Sequence, residues 1–349
     1  MTTAVVSLKF SPGHIAHLRA YNALFDEICD NVLLYLAPEY EKYMSDLPNV
    51  LFTEDINSIV EEKPDIVFIY NISTYNTHLA QLCKTKGIRT LYVLHEPWGS
   101  ISDLIKEKSA IPKTIGAYIV NGHICRNVDK VLLASETGMK NYEDRMLWCN
   151  KSHARFPLIF LDQYDSAKCI KRQFFSFIGA FVEVHGSFEF LNFMEYALEI
   201  TDDIRFLIAT KNDVTRYLNK DSFQKAIVDK RLVIQQGRPM TTEEINGYYR
   251  QSICVWNAYN RSTQSGVLPN ALMQGAPVIV NENGAAKEIM KDRTVGCFIK
   301  MPPENKQILD CYRYIEAHLE EMDRNARKIF LSNYCYSNYL NLAKEVILS

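Results

Sequence analysis

AVVSLKFSPGHIAHLRAYNALFDEIC, residues 4–29, changes character halfway along its length. AVVSLKF (4–10) is a short apolar, β-rich run, whereas from His14 onward Ile15, Leu18, Ala20, Leu24, Phe25 and Ile28 fall mostly on one face of a helix. The join, SPGH (11–14), is loop chemistry. The same alternation recurs. VLLYL (32–36), DIVFIY (65–70), TLYVLH (90–95) and KVLLAS (130–135) are further strand-like runs, separated by stretches of helical period. A second series follows residue 170: FFSFIGA (174–180), IRFLIAT (204–210), RLVIQ (231–235), ICVWNA (253–258) and PVIVN (277–281). Strands alternating with helices imply parallel sheets covered on both faces, and two such series imply two doubly wound α/β domains. The segment 151–173, mixed in composition with basic residues and a proline, is the expected connection.

Length and composition agree. The 349 residues with 47% hydrophobic content exceed one domain at roughly 100–200 residues each. A formal charge of -2 and a pI of about 6.5 provide no broad attraction for nucleic acid or an acidic membrane. The nine cysteines are odd in number, dispersed and without a C-x-x-C pair, which favours a reducing compartment over a disulfide framework or zinc site. The N-terminus lacks a signal-peptide pattern and no 18-residue apolar run occurs, so the expectation is a cytoplasmic protein, at most peripheral on the inner face of a membrane.

In open α/β sheets, ligands bind where loops leave the carboxyl ends of the strands. Four such places stand out: 11–14, 95–100, 179–186 and STQSGVLPNALMQGAPVIVNENGAAKEIM (262–290). In the last, Ser265 is the expected N-cap, Gly266 to Gln274 the helix and Gly275 its stop. The backbone N–H groups of Gly266, Val267 and Leu268 would then face a phosphate, favoured by the helix dipole. An ordinary capped crossover helix has the same spacing.

The order VWNAYNRSTQSGVLPNALMQGAPVIVNENGAAKEIM (255–290) resembles the nucleotide-sugar site of retaining glycosyltransferases of family 4, which have the GT-B fold. FSFIGAFVEVHGSFEFLNFMEYAL (175–198) resembles the family's strand, glycine turn and helix, and FSPGHIAHL (10–18), TLYVLHE (90–96) and VDKVLLASETGMKNY (128–142) resemble its N-terminal elements in the same order. The resemblance implies two Rossmann-like domains with a parallel sheet each and an interdomain cleft. Residues 1–160 would form the acceptor domain, 161–330 the nucleotide-sugar donor domain, and 331–349 a closing helix packed back on the first. It implies transfer of a sugar from a nucleotide diphosphate sugar to a hydroxyl acceptor with retention, no metal and no further cofactor. A glycan or lipid-linked acceptor in cell-surface polysaccharide or glycoconjugate synthesis is the expected context.

The chain departs from the family pattern at charged positions. The two acids of Glu-x7-Glu correspond to Ser262 and Asn270, and the diphosphate-binding Arg and Lys to Ala180 and His185. Asn270 retains hydrogen-bonding capacity for a ribose hydroxyl. Arg238, Lys211 and, ranked below them, Arg261 all follow strand-like runs and are the expected replacements; each also reads as a solvated surface charge. Glu288 matches the family's acid in the loop after the strand, with a carboxylate at a helix N-terminus as the alternative reading. Gly13 and Gly179 sit where backbone would approach a ligand closely, with His14 following the first. His17 reads as packed or surface. His95 matches the family's cleft histidine beside the donor sugar; Trp98 and Tyr75 read as stacking faces or as core cover.

Other chemistries lack support. There is no G-x-G-x-x-G, Walker A, H-E-x-x-H or Asp-x-Asp. Two alternatives remain: a GT-B-like protein that binds a sugar, nucleotide or partner without turnover, and another GT-B enzyme such as a nucleotide-sugar epimerase. Between residues 101 and 155, nine basic residues stand against six acidic ones, an excess of three that reads as a surface for anionic headgroups or as an ordinary solvated face.

Overall fold

The computed structural model describes residues 1–97, 111–167, 170–260, 265–282 and 285–348. They fall into two compact units, Met1–Leu161 with Tyr334–Ser349, and Asp162–Asn333.

The first unit is built on a seven-stranded parallel sheet: β1 (Thr2–Ser7), β2 (Asn31–Leu36), β3 (Val50–Phe52), β4 (Ile66–Ile69), β5 (Arg89–Val93), β6 (Lys130–Leu133) and β7 (His153–Arg155). Their order is β3-β2-β1-β4-β5-β6-β7. Register explains why the central strands are apolar on both faces. Val5 lies level with Leu34 and Phe68, and these enter a core with Leu18, Tyr21 and Phe25 of the helix Ile15–Ile28. Its neighbour Val6 lies level with Tyr35 and Ile69, and these enter a second core with Leu79, Ile124 and Tyr142 on the other face. The terminal segment covers the first face: Ala343 and Ile347 join that core, and Phe160 pairs with Cys335 in an isolated parallel bridge.

The second unit repeats the plan with six parallel strands: β8 (Phe174–Ile178), β9 (Phe206–Ala209), β10 (Leu232–Gln235), β11 (Ser252–Asn257), β12 (Val278–Asn281) and β13 (Gly296–Ile299). The order is β10-β9-β8-β11-β12-β13. Phe175, Phe190, Phe193, Phe206 and Trp256 form its aromatic centre, with Phe175 and Phe190 edge to face at 5.3 Å. Helix starts follow local chemistry. Thr241 and Glu244 make a reciprocal capping box at Thr242–Gln251, and Ser73 and Ser135 cap Thr74–Lys86 and Glu136–Arg145. No helix among the described residues is long and apolar enough to cross a membrane.

Both units change the direction of strand order once, between β1 and β4 in the first and between β8 and β11 in the second. At such a switch point the loops diverge to opposite faces and leave a crevice at the strand ends.

Candidate functional site

In the second unit the loops after β8 and β11 meet at the switch point. Gly179, at φ +126°, turns the chain out of β8, and a Cβ there would touch Val267 Cγ2 at 3.5 Å. Phe181 N–H donates to Asn212 Oδ1 (2.9 Å), tying this loop to the one after β9. His185 Nδ1–H donates to the Ala180 carbonyl (2.9 Å), and its ring stacks on Tyr259 with centroids 4.0 Å apart and planes 8° apart. Burial lowers the His185 pKa, so the ring is neutral at pH 7 with its proton on Nδ1. Asn281 at the end of β12 donates to the Tyr259 carbonyl (2.8 Å), and Trp256 Nε1–H donates to the His185 carbonyl (3.1 Å). Burial pushes the Tyr259 phenol up to about 12.

The stretch after β11 differs from its sequence reading. The helix runs Val267–Met273, seven residues, with Gly266 in the N-cap position. Ser265 Oγ donates to Asn257 Oδ1 (2.8 Å) and accepts the Val267 N–H (3.2 Å), so one of the three amides expected to face a phosphate is already satisfied. Leu268 is buried, and Asn270 spends one amide N–H on the Gly266 carbonyl (2.7 Å). Gly275, at φ +70°, stops the helix as expected.

Of the expected replacement cations, Arg238 is already engaged. Arg238 is 51% exposed and forks onto Glu244, with Nη1 at 3.0 Å from Oε2, because Glu244 is fixed by its capping box. That bidentate pair holds the Glu244 carboxyl down to about 2 and engages the fork that a diphosphate would need. Lys211 is exposed after β9. Glu288 lies in a single 3-10 turn, Ala285–Glu288, as the acid of its first turn. Trp98, Arg261 and Ser262 lie outside the described residues.

In the first unit the switch point gathers histidines. His14, His95 and Tyr70 follow β1, β5 and β4. His14 and His95 stack with centroids 5.1 Å apart, and Tyr70 meets both edge-on at 5.1 and 4.8 Å. His95 Nε2–H donates to the Tyr70 carbonyl (2.8 Å). His17 is buried, its Nδ1 bonding the Ile159 carbonyl (3.2 Å). His14 Nδ1 is buried without a hydrogen-bond partner among the described residues. A Cβ on Gly13 would meet open space. Tyr75 is 40% exposed and its hydroxyl donates to Glu54.

Burial holds these rings neutral: His14 falls well below 6.5, His17 to about 3 and His95 to about 4. The sign of the linkage follows. Unfolded histidines take up protons near 6.5 that the folded ones refuse, so stability is full above that pH and falls as pH drops towards 4. Each such histidine contributes a slope of about 1.4 kcal/mol per pH unit. Urea unfolding between pH 7 and 4.5 should show that loss, and His17→Gln should flatten it; an unchanged slope in the variant would contradict the assignment.

Sequence reading missed Asn212 and Asn281, which bond loop backbone, and Tyr259, which stacks on the His185 ring. Asn212 and Tyr259 follow strand ends and Asn281 is the last residue of β12, the one signal that could have found them. Among the described residues, no group of three or more His, Cys, Asp or Glu side chains gathers to hold a metal ion.

No family model matches the chain, and no curated protein matches it in sequence. Solved structures do match. The chain superposes on Anabaena Alr3699/HepE in complex with UDP with TM-score 0.73 at 12% identity, covering 100% of both chains. It superposes on sucrose-phosphate synthase from Thermosynechococcus elongatus with TM-score 0.73 at 13% identity, covering 100% of this chain and 98% of that one. For WaaG, a glycosyltransferase involved in lipopolysaccharide biosynthesis, the values are 0.67 and 12%, over 99% of each chain. At these identities the likeness establishes the fold, which is GT-B: two Rossmann-like domains, each on its own parallel sheet.

Proposed function

We propose that this chain is a glycosyltransferase resembling family 4, with a variant Glu-x7-Glu, that moves a sugar from a nucleotide diphosphate sugar to a hydroxyl acceptor with retention and without a metal. The observation that carries the reading is the convergence of Gly179, His185, Tyr259 and Ser265 at the switch point of the second unit. Crystal structures of the Anabaena neighbour hold UDP and UDP-glucose, which supports a nucleotide-sugar donor. The donor unit would be 161–330 and the acceptor unit 1–160, closed by 331–349. Transfer requires stabilising a departing diphosphate while the anomeric carbon gains positive charge. His185 occupies the family's lysine position, and its Nε2 gains a donor when the ring takes a proton beside phosphate. Lys211 is the remaining nearby candidate for a fixed charge. His95 is proposed to orient a sugar hydroxyl as a neutral ring, and Glu288 to carry the family's acidic role. The acceptor is proposed to be a cell-surface glycan or lipid-linked glycoconjugate, and the protein to be cytoplasmic, with the basic excess in 101–155 as peripheral contact to the inner face of a membrane.

The test is a panel of nucleotide sugars with simple glycoside acceptors, with and without EDTA. Binding followed by EDTA-insensitive release of nucleotide is expected; absence of binding across the panel would sink the proposal. His185→Ala should weaken nucleotide diphosphate binding about tenfold, the worth of one hydrogen bond to a charged group, with nucleoside binding unchanged. Equal losses for both ligands would remove His185 from the phosphate site.

One observation favours a second reading. Arg238 is engaged by Glu244, so the fixed positive charge expected at the diphosphate is spent elsewhere. Binding without turnover would give saturable nucleotide-sugar binding and no released nucleotide with any acceptor.

A further inference from the structure

We propose that Cys311 and Cys297 form a peroxide-reactive thiol pair that closes a disulfide between β13 and the helix Asn305–Ala317, a modification site apart from the loops that carry the candidate donor site.

Three observations converge. Cys297 lies in β13, level with Ile279 of β12 and wholly buried, and Cys311 lies mid-helix on the element packed against it. The Cys297 thiol donates to the Cys311 carbonyl oxygen at 3.8 Å, which brings the two cysteines together across the strand and the helix. A thiol in contact with the other cysteine's backbone places the pair on adjacent elements, the setting that a disulfide requires.

Access is unequal. A surface cavity of about 380 Å³ is lined by Cys311 together with Arg293, Lys306, Glu304 and Asp310, and Cys297 is not part of its wall. A small oxidant in the cavity therefore meets Cys311 first, with Cys297 behind it.

The charges around the pair assign the roles. The neighbouring Cys297 holds the Cys311 thiol below its ordinary pKa, and Arg293 acts in the same direction against burial and Asp310. Cys297 is pushed up by the neighbouring Cys311 and by burial, and so keeps its proton. Burial pushes Cys83, Cys125, Cys149 and Cys254 up as well. A thiolate in a partly accessible site with a cation beside it is the nucleophilic form of cysteine.

The chemistry balances with a hydroperoxide as the oxidant. The Cys311 thiolate attacks one peroxide oxygen, the O–O bond breaks, hydroxide leaves and takes a proton, and Cys311 becomes a sulfenic acid. The Cys297 sulfur then attacks the Cys311 sulfur; the S–S bond forms, the S–O bond breaks, and the departing hydroxide takes the Cys297 proton as water. Two thiols and one hydrogen peroxide give one disulfide and two waters.

The experiment treats the full chain with hydrogen peroxide, blocks remaining thiols, and maps linkages by mass spectrometry of a non-reducing digest. A Cys297–Cys311 cross-link that dithiothreitol reverses, formed before Cys83 or Cys125 is oxidised, is expected. Cys297→Ser should instead accumulate a Cys311 sulfenic acid trapped by dimedone, and Cys311→Ser should leave Cys297 a thiol. Cross-linking to Cys254, or oxidation of Cys311 no faster than of Cys83, would overturn the pairing. Because wild-type protein alone supplies that comparison, the result stands even if a variant fails to fold.

Discussion

Alanine at Gly186 is expected to destabilise the protein by about 3 kcal/mol and to abolish nucleotide-sugar binding with it. Gly186 sits at φ +70°, where an L side chain adds about 1–2 kcal/mol of strain. Space is the larger obstacle. An added Cβ would stand 2.6 Å from the Ala258 carbonyl oxygen and 3.0 Å from Trp256 Nε1, the first being backbone and the second a buried ring that already donates to the His185 carbonyl. Neither can yield without moving the 183–186 turn, which also accepts the Asn260 N–H at Val184. The displaced turn carries His185 off its stack with Tyr259, so stability and binding fail together. Gly247→Ala is the control: that glycine lies inside the helix Thr242–Gln251, a Cβ there meets nothing within 4 Å, and the change should stabilise by about 0.5–1 kcal/mol. Urea titration and nucleotide binding of both variants check the pair. A Gly186→Ala protein with wild-type midpoint and affinity would show that the turn does not hold the crevice together.

The contrast between those two glycines marks what sequence could convey here. The fold was legible because buried parallel strands and their crossover helices leave two periods in the chain, as in 4–29, where the helix Ile15–Ile28 buries Leu18, Leu24 and Phe25 as the pattern requires. Each of the ten strand-like runs overlaps an observed strand. Missing were β3, β7 and β13, of three, three and four residues. His-Ala-Arg of β7 has no apolar period at all, and only its pairing with β6 makes it a strand; it fell inside 151–173, read as connection. The site was less legible for a different reason. Residue type at a strand end announces that a loop has chemistry to offer, but not which partner takes it. Arg238 looks like a phosphate ligand until the capping box three residues beyond Thr241 presents Glu244 to its fork. Ser265 looks like a cap on free amides until its hydroxyl is seen bridging Asn257 and Val267. Tyr259, an aromatic among many, acquires meaning only when His185 lands on its face.

Arg172 carries the same lesson to its largest consequence. It belongs to the mixed, basic segment read as connection, yet its side chain is 11% exposed and holds three elements of the second unit. Nη1 donates to the carbonyls of Tyr249, Arg250 and Ser252 at 3.2, 3.3 and 3.0 Å, and Nη2 donates to the Gln274 carbonyl at 2.8 Å. Nε and Nη2 grip Asp323 Oδ2 at 3.1 and 2.7 Å. The fork thus closes the end of the helix Thr242–Gln251, the entry to β11 and the end of Val267–Met273, whose other end bears Ser265 and Val267. Arg172→Leu should cost about 3–5 kcal/mol, because it leaves an anion and several carbonyls without their partner. Asp323 is 32% exposed and recovers part of its hydration, so the carbonyls carry most of the loss. Asp323→Asn should therefore cost only about 1 kcal/mol, since the fork keeps its four carbonyls. Denaturant midpoints for the two single variants and the double decide it. If Asp323→Asn costs as much as Arg172→Leu, the ion pair is the anchor and the carbonyl clamp is incidental; if Arg172→Leu costs under about 1 kcal/mol, within the range of an exposed ion pair, the clamp does not exist in solution. The expected ordering ties nucleotide affinity to Arg172 through the helix it closes, so Arg172→Leu should weaken binding while Asp323→Asn leaves it unchanged.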